Sequence, residues 1–344
     1  MSAFAESMAR LLRGEDLTRA DAEQVMDECM AGTLEAPQIA ALLTALAAKG
    51  VRAAELAGFA AAMRRAATPV RSGGGLMDTC GTGGSGLPTT NTSTLSAFVL
   101  AAAGVTVAKH GNRASSGRCG SMDVLEELGV AIELGPEEAA ELLADHGIAF
   151  LFAPLYHPAM RHVAPVRRSL GFRTVFNFLG PLCNPAGARR QLLGVSDPGM
   201  APRMARALAE LGSERALVVW GEDGLDELSL GAATRTWELV DGELVEGRLI
   251  PEQLGLQPVP FDALAGGERA ENARLFLAIL TGEDRGPRAD HLALNAGAAL
   301  VVAGRAGDVA EGIAQARELI ASGAVLDRFE AYREASQALA GGSK

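Results

Sequence analysis

The chain has 344 residues, 48% of them hydrophobic and 21% charged, and carries a net charge of −11. That is material for a sizeable core and length for about two domains, which argues against an extended disordered chain. The acidic balance also argues against a surface built for nucleic-acid phosphates, while leaving room for a local cationic pocket.

In chain order, residues 1–72 read as a helical domain. Its four short amphipathic helices are ESMARLLRGE, TRADAEQVMDECMAG, EAPQIAALLTALAAKG and RAAELAGFAAAMRRAA. Thr18 and Pro37 suit helix starts, and Gly32 and Gly50 suit stops. Their apolar faces exceed the needs of so small a unit, which predicts packing against another subunit. The N-terminal MSAFAESMARLLRGED has charges where a signal peptide needs an apolar core. LSAFVLAAAGVTVA is too short and too polar to span a bilayer, so a cytoplasmic location is expected. Cys29, Cys80, Cys119 and Cys183 show no metal-ligand spacing and are expected as free thiols.

From Leu76 onward, apolar segments alternate with helical ones. VTVAKHG, IAFLFAP, TVFNFLG, RQLLGVS and ALVVWGE read as strands, PEEAAELLADHG and APRMARALAELG as helices. The alternation predicts an α/β domain over 73–344 with a mainly parallel sheet. WELVDGELVEGRL carries a DG turn between alternating segments, which is hairpin chemistry. LALNAGAALVVAG and the segment from Asp308 onward read as helices closing the core.

Four stretches carry chemistry. DTCGTGGSGLPTTNTST (78–94) places a glycine loop and an Asn-Ser-Thr cluster before a helix, where backbone N–H groups and the helix dipole favour an anion. VAKHGNRASSGRCGSMDVLEELG (107–129) gathers Lys109, His110, Asn112, Arg113 and Arg118 among glycines and serines, a second cradle for a polyanion. Two such loops suggest a ligand with more than one phosphate group. Residues 155–187 hold His157, Arg161, Arg167, Arg168 and Arg173 before a GPLCNP turn; a guanidinium there suits an acidic organic substrate, though taken alone a wet basic helix face is the better reading. Asp226 and Glu227, just past the strand ALVVW, suit a hard cation shared with substrate phosphates.

GTGGSG with NTST, KHGNRASSG with GSMDVLEELG, the YHPAMRHVAPVRRSLGFRTVFNFLGPLCNPAG block and DGLDELS stand in the order seen in anthranilate phosphoribosyltransferases, and the chain resembles that family over nearly its whole length. The resemblance implies a nucleoside phosphorylase-like fold, a small helical domain completed by a helical segment at about 163–190, and a homodimer joined through the helical part. It implies transfer of the 5-phosphoribosyl group from phosphoribosyl pyrophosphate to the amine of anthranilate, in tryptophan biosynthesis. By similarity, Gly81, Gly84, Ser85, Thr89, Asn91, Thr92, Ser93 and Thr94 would line the donor site. Lys109, His110, Gly111, Asn112, Arg113, Ala114, Ser115, Ser116, Gly117 and Ser121 would complete its phosphate and ribose contacts. Ser93, Asp226 and Glu227 would hold Mg²⁺. Asn112, His157, Arg167 and the backbone near Gly81 and Pro181 would meet anthranilate, with Arg167 on its carboxylate and Lys109 on the leaving charge. Ser85 departs from the family's usual Asp, which removes a negative charge beside the metal site and is expected to change the magnesium optimum. Cys80, Cys119 and Met122 also replace more usual Val or small residues. Two alternatives share the fold: a pyrimidine nucleoside phosphorylase, which needs no magnesium diphosphate site, and a non-catalytic nucleic-acid-binding relative, for which an acidic chain is poor material.

Overall fold

The computed structural model describes residues 2–114 and 118–342. The first unit is α1 (Ala3–Leu11), α2 (Arg19–Ala31), α3 (Ala36–Lys49) and α4 (Ala53–Ala66). Thr18 and Asp21 close a capping box at the start of α2, and Gly32 ends it in a left-handed conformation. One buried carboxylate ties three segments of the unit. Glu55 on α4 accepts from the backbone N–H of Leu17 and of Arg52, each at 2.8 Å, and from the Lys49 ammonium at 3.0 Å.

The second unit begins with β1 (Met77–Gly81), α5 (Thr92–Ala102), β2 (Val107–Gly111), α6 (Ser121–Glu127), α7 (Pro136–His146) and β3 (Ile148–Phe152). Then come α8 (Ala153–Tyr156), a 3₁₀ turn at Pro158–His162, α9 (Ala164–Leu170), α10 (Phe176–Leu179) and a 3₁₀ turn at Gly180–Leu182. After β4 (Arg190–Gly194), α11 (Ala201–Glu210) and β5 (Arg215–Gly221), the predicted hairpin forms from β6 (Thr234–Val240) and β7 (Glu243–Leu249). Four helices close the chain: α12 (Arg269–Leu280), α13 (Pro287–Ala303), α14 (Val309–Ala321) and α15 (Ala324–Gly342).

One expected strand is corrected. TVFNFLG forms α10 and the turn after it, because Phe176 and Leu179 bury at helical spacing and the Asn177 side chain accepts from Thr174 N–H at 2.9 Å. A short apolar run fits either period, and burial on one helical face decides it.

The sheet order is β3-β2-β1-β4-β5-β6-β7, parallel through β5 and antiparallel for the last two strands. Its two faces belong to different cores. On one side Phe98 of α5 stacks on Phe150 and Phe329, with centroids 5.2 and 5.4 Å apart. On the other, Leu193, Val218, Trp237 and Leu239 join one cluster with α11, with α1–α4, and with Val163, Val166, Phe176 and Leu179. Among the described residues no helix is long and apolar enough to cross a membrane.

Strand order reverses between β1 and β4, so the loops that follow these strands diverge and leave a crevice at their carboxyl ends. Gly81 and Gly194 are register partners at that edge. The chain at Asp226 crosses directly over both: a Cβ on Gly81 would stand 2.6 Å from Asp226 Oδ2, and one on Gly194 would overlap the Asp226 carbonyl oxygen. Gly194→Ala is therefore expected to destabilise the fold by about 1–3 kcal/mol, measured as a lower guanidinium midpoint. An unchanged midpoint would mean that the 226 segment is not pressed against the strand ends.

Candidate active site

The crevice opens into a cavity of about 570 Å³ walled by the segments that follow β1, β2 and β5. Gly81, Gly84, Ser85, Thr89, Asn91 and Ser93 line it from the first segment. Lys109, His110, Gly111, Asn112, Arg113, Ala114 and Ser121 line it from the second, and Asp226 and Glu227 from the third. The four chemical stretches of the sequence thus converge, three on the wall and the fourth behind it. Ser115, Ser116 and Gly117 lie outside the described residues.

The glycine loop owes its path to left-handed backbone at Gly83, Gly84 and Gly86. It is anchored across the cavity, with Gly83 N–H donating to Asp226 Oδ2 at 2.8 Å and Thr89 Oγ1 to Glu227 Oε1 at 3.2 Å. Ser85 Oγ accepts from Leu87 N–H at 3.3 Å. The start of α5 borders the cavity, an arrangement that favours an anion. Asn91 takes a left-handed backbone and its side chain does not cap α5; it bonds Cys119 and Asn272 instead. Thr92 and Thr94, expected beside the donor, lie behind the wall. In the first helical turn their side chains face the core, where Thr92 Oγ1 meets His291 Nδ1 at 3.3 Å and Thr94 is fully buried.

Lys109 is 2% exposed. Its ammonium donates to Thr79 O and, at 3.2 Å, to Ser93 Oγ, which leaves one of its three N–H groups for the cavity. Burial lowers its pKa, and Asp78, Cys80 and Glu227 oppose that shift. Asp78 stands behind it, accepting from Asn184 Nδ2 at 2.8 Å and His110 N–H at 3.3 Å, with its own pKa raised by burial to about 6. Arg113 departs from its expected role: its guanidinium is held by Glu126 at 2.6 Å and Glu133 at 3.0 Å, so only its backbone and stem serve the cavity.

Asp226 and Glu227 fit a divalent cation. Burial, then the neighbouring Asp226 charge, push Glu227 up to about 8, and Glu227 Oε2 has no hydrogen-bond partner among the described residues. His291, 3.6 Å away, offers no charge, since burial pushes it down to about 4. Among the described residues no three or more His, Cys, Asp or Glu are grouped so as to hold a metal ion by themselves. Two carboxylates and the Ser93 hydroxyl suit Mg²⁺, which takes its remaining ligands from water and phosphate oxygens.

His157, Arg167 and Pro181 stand outside the cavity wall. His157 reaches it through His110, the two rings lying 5.0 Å apart, and His110 Nδ1 bonds Gly180 O at 3.2 Å. Neither Nε2 has a partner among the described residues. The Arg167 guanidinium lies over the Phe176 ring at 5.3 Å with no carboxylate partner among the described residues, and burial lowers its pKa. Pro181 is buried, and its carbonyl accepts from Gln191 Nε2 at 2.7 Å.

Residues 73–326 match the a/b domain of a glycosyl transferase family, and residues 5–67 match that family's helical bundle domain. The anthranilate phosphoribosyltransferase of Chloroflexus aggregans is 53% identical over 325 residues, covering 94% of this chain and 96% of that protein. The chain belongs to the anthranilate phosphoribosyltransferase family. The family's crystal structure from Thermus thermophilus matches with a TM-score of 0.92 at 48% identity, over 98% of this chain and 100% of that one. The Saccharomyces cerevisiae member, in complex with PRPP and Mg, matches with a TM-score of 0.89 at 28% identity, over 97% of this chain and 98% of that one.

The two histidines give this family member a pH signature. Burial, then His157, push His110 down to about 3, so its ring stays neutral in the fold. The unfolded chain binds that proton near pH ~6.5, so the stabilisation is complete above that value and declines as pH falls. Between about pH 7 and pH 5 His110 alone withdraws about 2 kcal/mol. In His110→Asn the fall in guanidinium midpoint over that range should shrink correspondingly; an unchanged fall would show that His110 carries a proton in the folded state.

Proposed function

We propose that this chain transfers the 5-phosphoribosyl group from phosphoribosyl pyrophosphate to the amine of anthranilate, releasing pyrophosphate, in tryptophan biosynthesis. The observation that carries the reading is the meeting, around one cavity, of two anion loops, a buried lysine and a carboxylate pair. Among relatives, the Saccharomyces cerevisiae enzyme is described with PRPP and Mg in one structure and with 4-fluoroanthranilate in another.

The donor's negative charge sits against the glycine-loop backbone and the start of α5. The free N–H of Lys109 points at the charge that builds as pyrophosphate departs, a stabilisation that grows toward the transition state. Asp226 and Glu227, with Ser93, hold Mg²⁺, which supplies charge neutralisation of the diphosphate. On the acceptor side, Arg167 takes the carboxylate of anthranilate. His110 and His157, neutral because buried, offer ring surface and unpartnered Nε2 atoms without adding charge. The acceptor amine is uncharged near neutral pH, so positioning suffices and no general base is assigned. The same reading places the protein in the cytoplasm as a homodimer joined through α1–α4. Leu12, 76% exposed just past α1, is an apolar side chain such a contact would cover.

Purified protein with anthranilate, donor and Mg²⁺ should show a donor-dependent fall in anthranilate fluorescence, and no fall would overturn the reading. Arg167→Ala should raise the anthranilate KM about 10- to 100-fold, the worth of one charged hydrogen-bonded contact, with the donor KM little changed. Equal loss of both would remove Arg167 from the acceptor. Glu227→Gln keeps the shape but not the charge, and should raise the Mg²⁺ concentration for half-maximal rate about tenfold or more. A superimposable Mg²⁺ titration would place the metal elsewhere.

A further inference from the structure

The first turn of α12 follows a segment that the chemistry above does not use, yet it touches both donor loops. Arg269 and Asn272 are three residues apart and so share one face of the helix. Asn272 is 1% exposed, and its side-chain amide is fully engaged. Its Oδ1 accepts from Gly267 N–H at 2.7 Å, and its Nδ2 donates to Asn91 Oδ1 at 2.8 Å and to Thr89 O at 3.3 Å. Asn91 passes the connection on, donating from Nδ2 to Cys119 O in the second loop at 3.1 Å. Asn91 is also the residue held in left-handed backbone at the entry to α5. Such a conformation persists where its surroundings over-determine it, and Asn272 is one such constraint.

Arg269 makes the parallel connection. Its guanidinium pairs with Asp123 of α6. Asp123 in turn accepts from Ala114 N–H and Gly120 N–H, each at 2.8 Å, and so gathers both sides of the second loop's base. One helix turn therefore holds the Thr89–Asn91 backbone with one side chain and the Ala114–Gly120 closure with the other.

We propose that Asn272 and Arg269 are positioning residues for the phosphoribosyl donor: the first turn of α12 sets the spacing between the two loops that grip its separate phosphate groups. The inference rests on the functional reading above. Neither side chain lines the cavity, so each acts through the loop it holds. A donor whose diphosphate and 5′-phosphate sit a fixed distance apart is sensitive to that spacing. The acceptor, whose carboxylate is assigned to Arg167 outside these loops, depends on it less.

The test is steady-state kinetics with each substrate varied in turn, alongside thermal melting. In Asn272→Asp the NH2 group that donates to Asn91 Oδ1 and Thr89 O becomes a single carboxylate oxygen facing both acceptors. The donor KM should rise about tenfold or more, with the anthranilate KM within about twofold of the parent. Arg269→Ala, at a half-exposed side chain, should raise the donor KM about three- to fivefold, and Arg269→Lys should recover part of that rise. A merely structural role would lower the melting temperature and kcat without this split between substrates. If the parent consumes anthranilate but these variants keep the parental donor KM, or raise both KM values together, the inference is overturned and the functional reading stands. If the parent itself is inactive, both fall. Should Asn272→Asp fail to fold, the Arg269 pair decides.

Discussion

Lys109 carries a charge into a place where water scarcely screens it, and its surroundings are arranged to make that tolerable. An unpaired buried ammonium is expensive, so each of its neighbours is constrained. Thr79 turns its carbonyl to it, Ser93 turns its hydroxyl, and Asp78 stands in the next layer, held by Asn184 and the His110 backbone. Asn184 comes from the turn just before β4, so the requirement for compensation reaches from the loops that line the cavity into the 155–187 segment behind it. A binding pocket and a folding constraint share the same residues here.

Around that charge the sheet supplies position. The loops that follow the paired strands β1 and β4 diverge and leave the crevice, and glycine at both strand ends lets the Asp226 segment cross it closely enough for Gly83 N–H to reach a carboxylate. Asp226 therefore anchors the glycine loop and stands beside Glu227, whose Oε2 has no hydrogen-bond partner among the described residues. The loop's shape and the site's negative charge are coupled through one side chain. Ser85 lines the same wall and contributes a hydroxyl to a local turn.

Much of this is legible in the residues. Capping at Thr18, the DG hairpin, the apolar strands and the glycine loop all rest on local rules, and local rules survive folding. What escaped is of two kinds. TVFNFLG satisfies both periods, and only the core it meets selects the helix. Asn272 and Arg269 lie about 180 and 150 residues beyond the side chains they hold, after a Gly266-Gly267 pair that no phosphate-type residue cluster accompanies, so little nearby marks them. Arg113 misled in the opposite sense: its position in a cationic run suggested an open guanidinium, while Glu126 and Glu133 had already claimed it.

The interleaving of the two cores has a consequence for how the molecule comes apart. Along β4 and β5, Leu192, Leu217 and Val219 face one core, while Leu193, Ala216 and Val218 face the core shared with α1–α4. The helical unit meets that second core through α11, α9 and α10 rather than through the strands, so detaching it would strip the cover from these helices and leave α11 on the sheet.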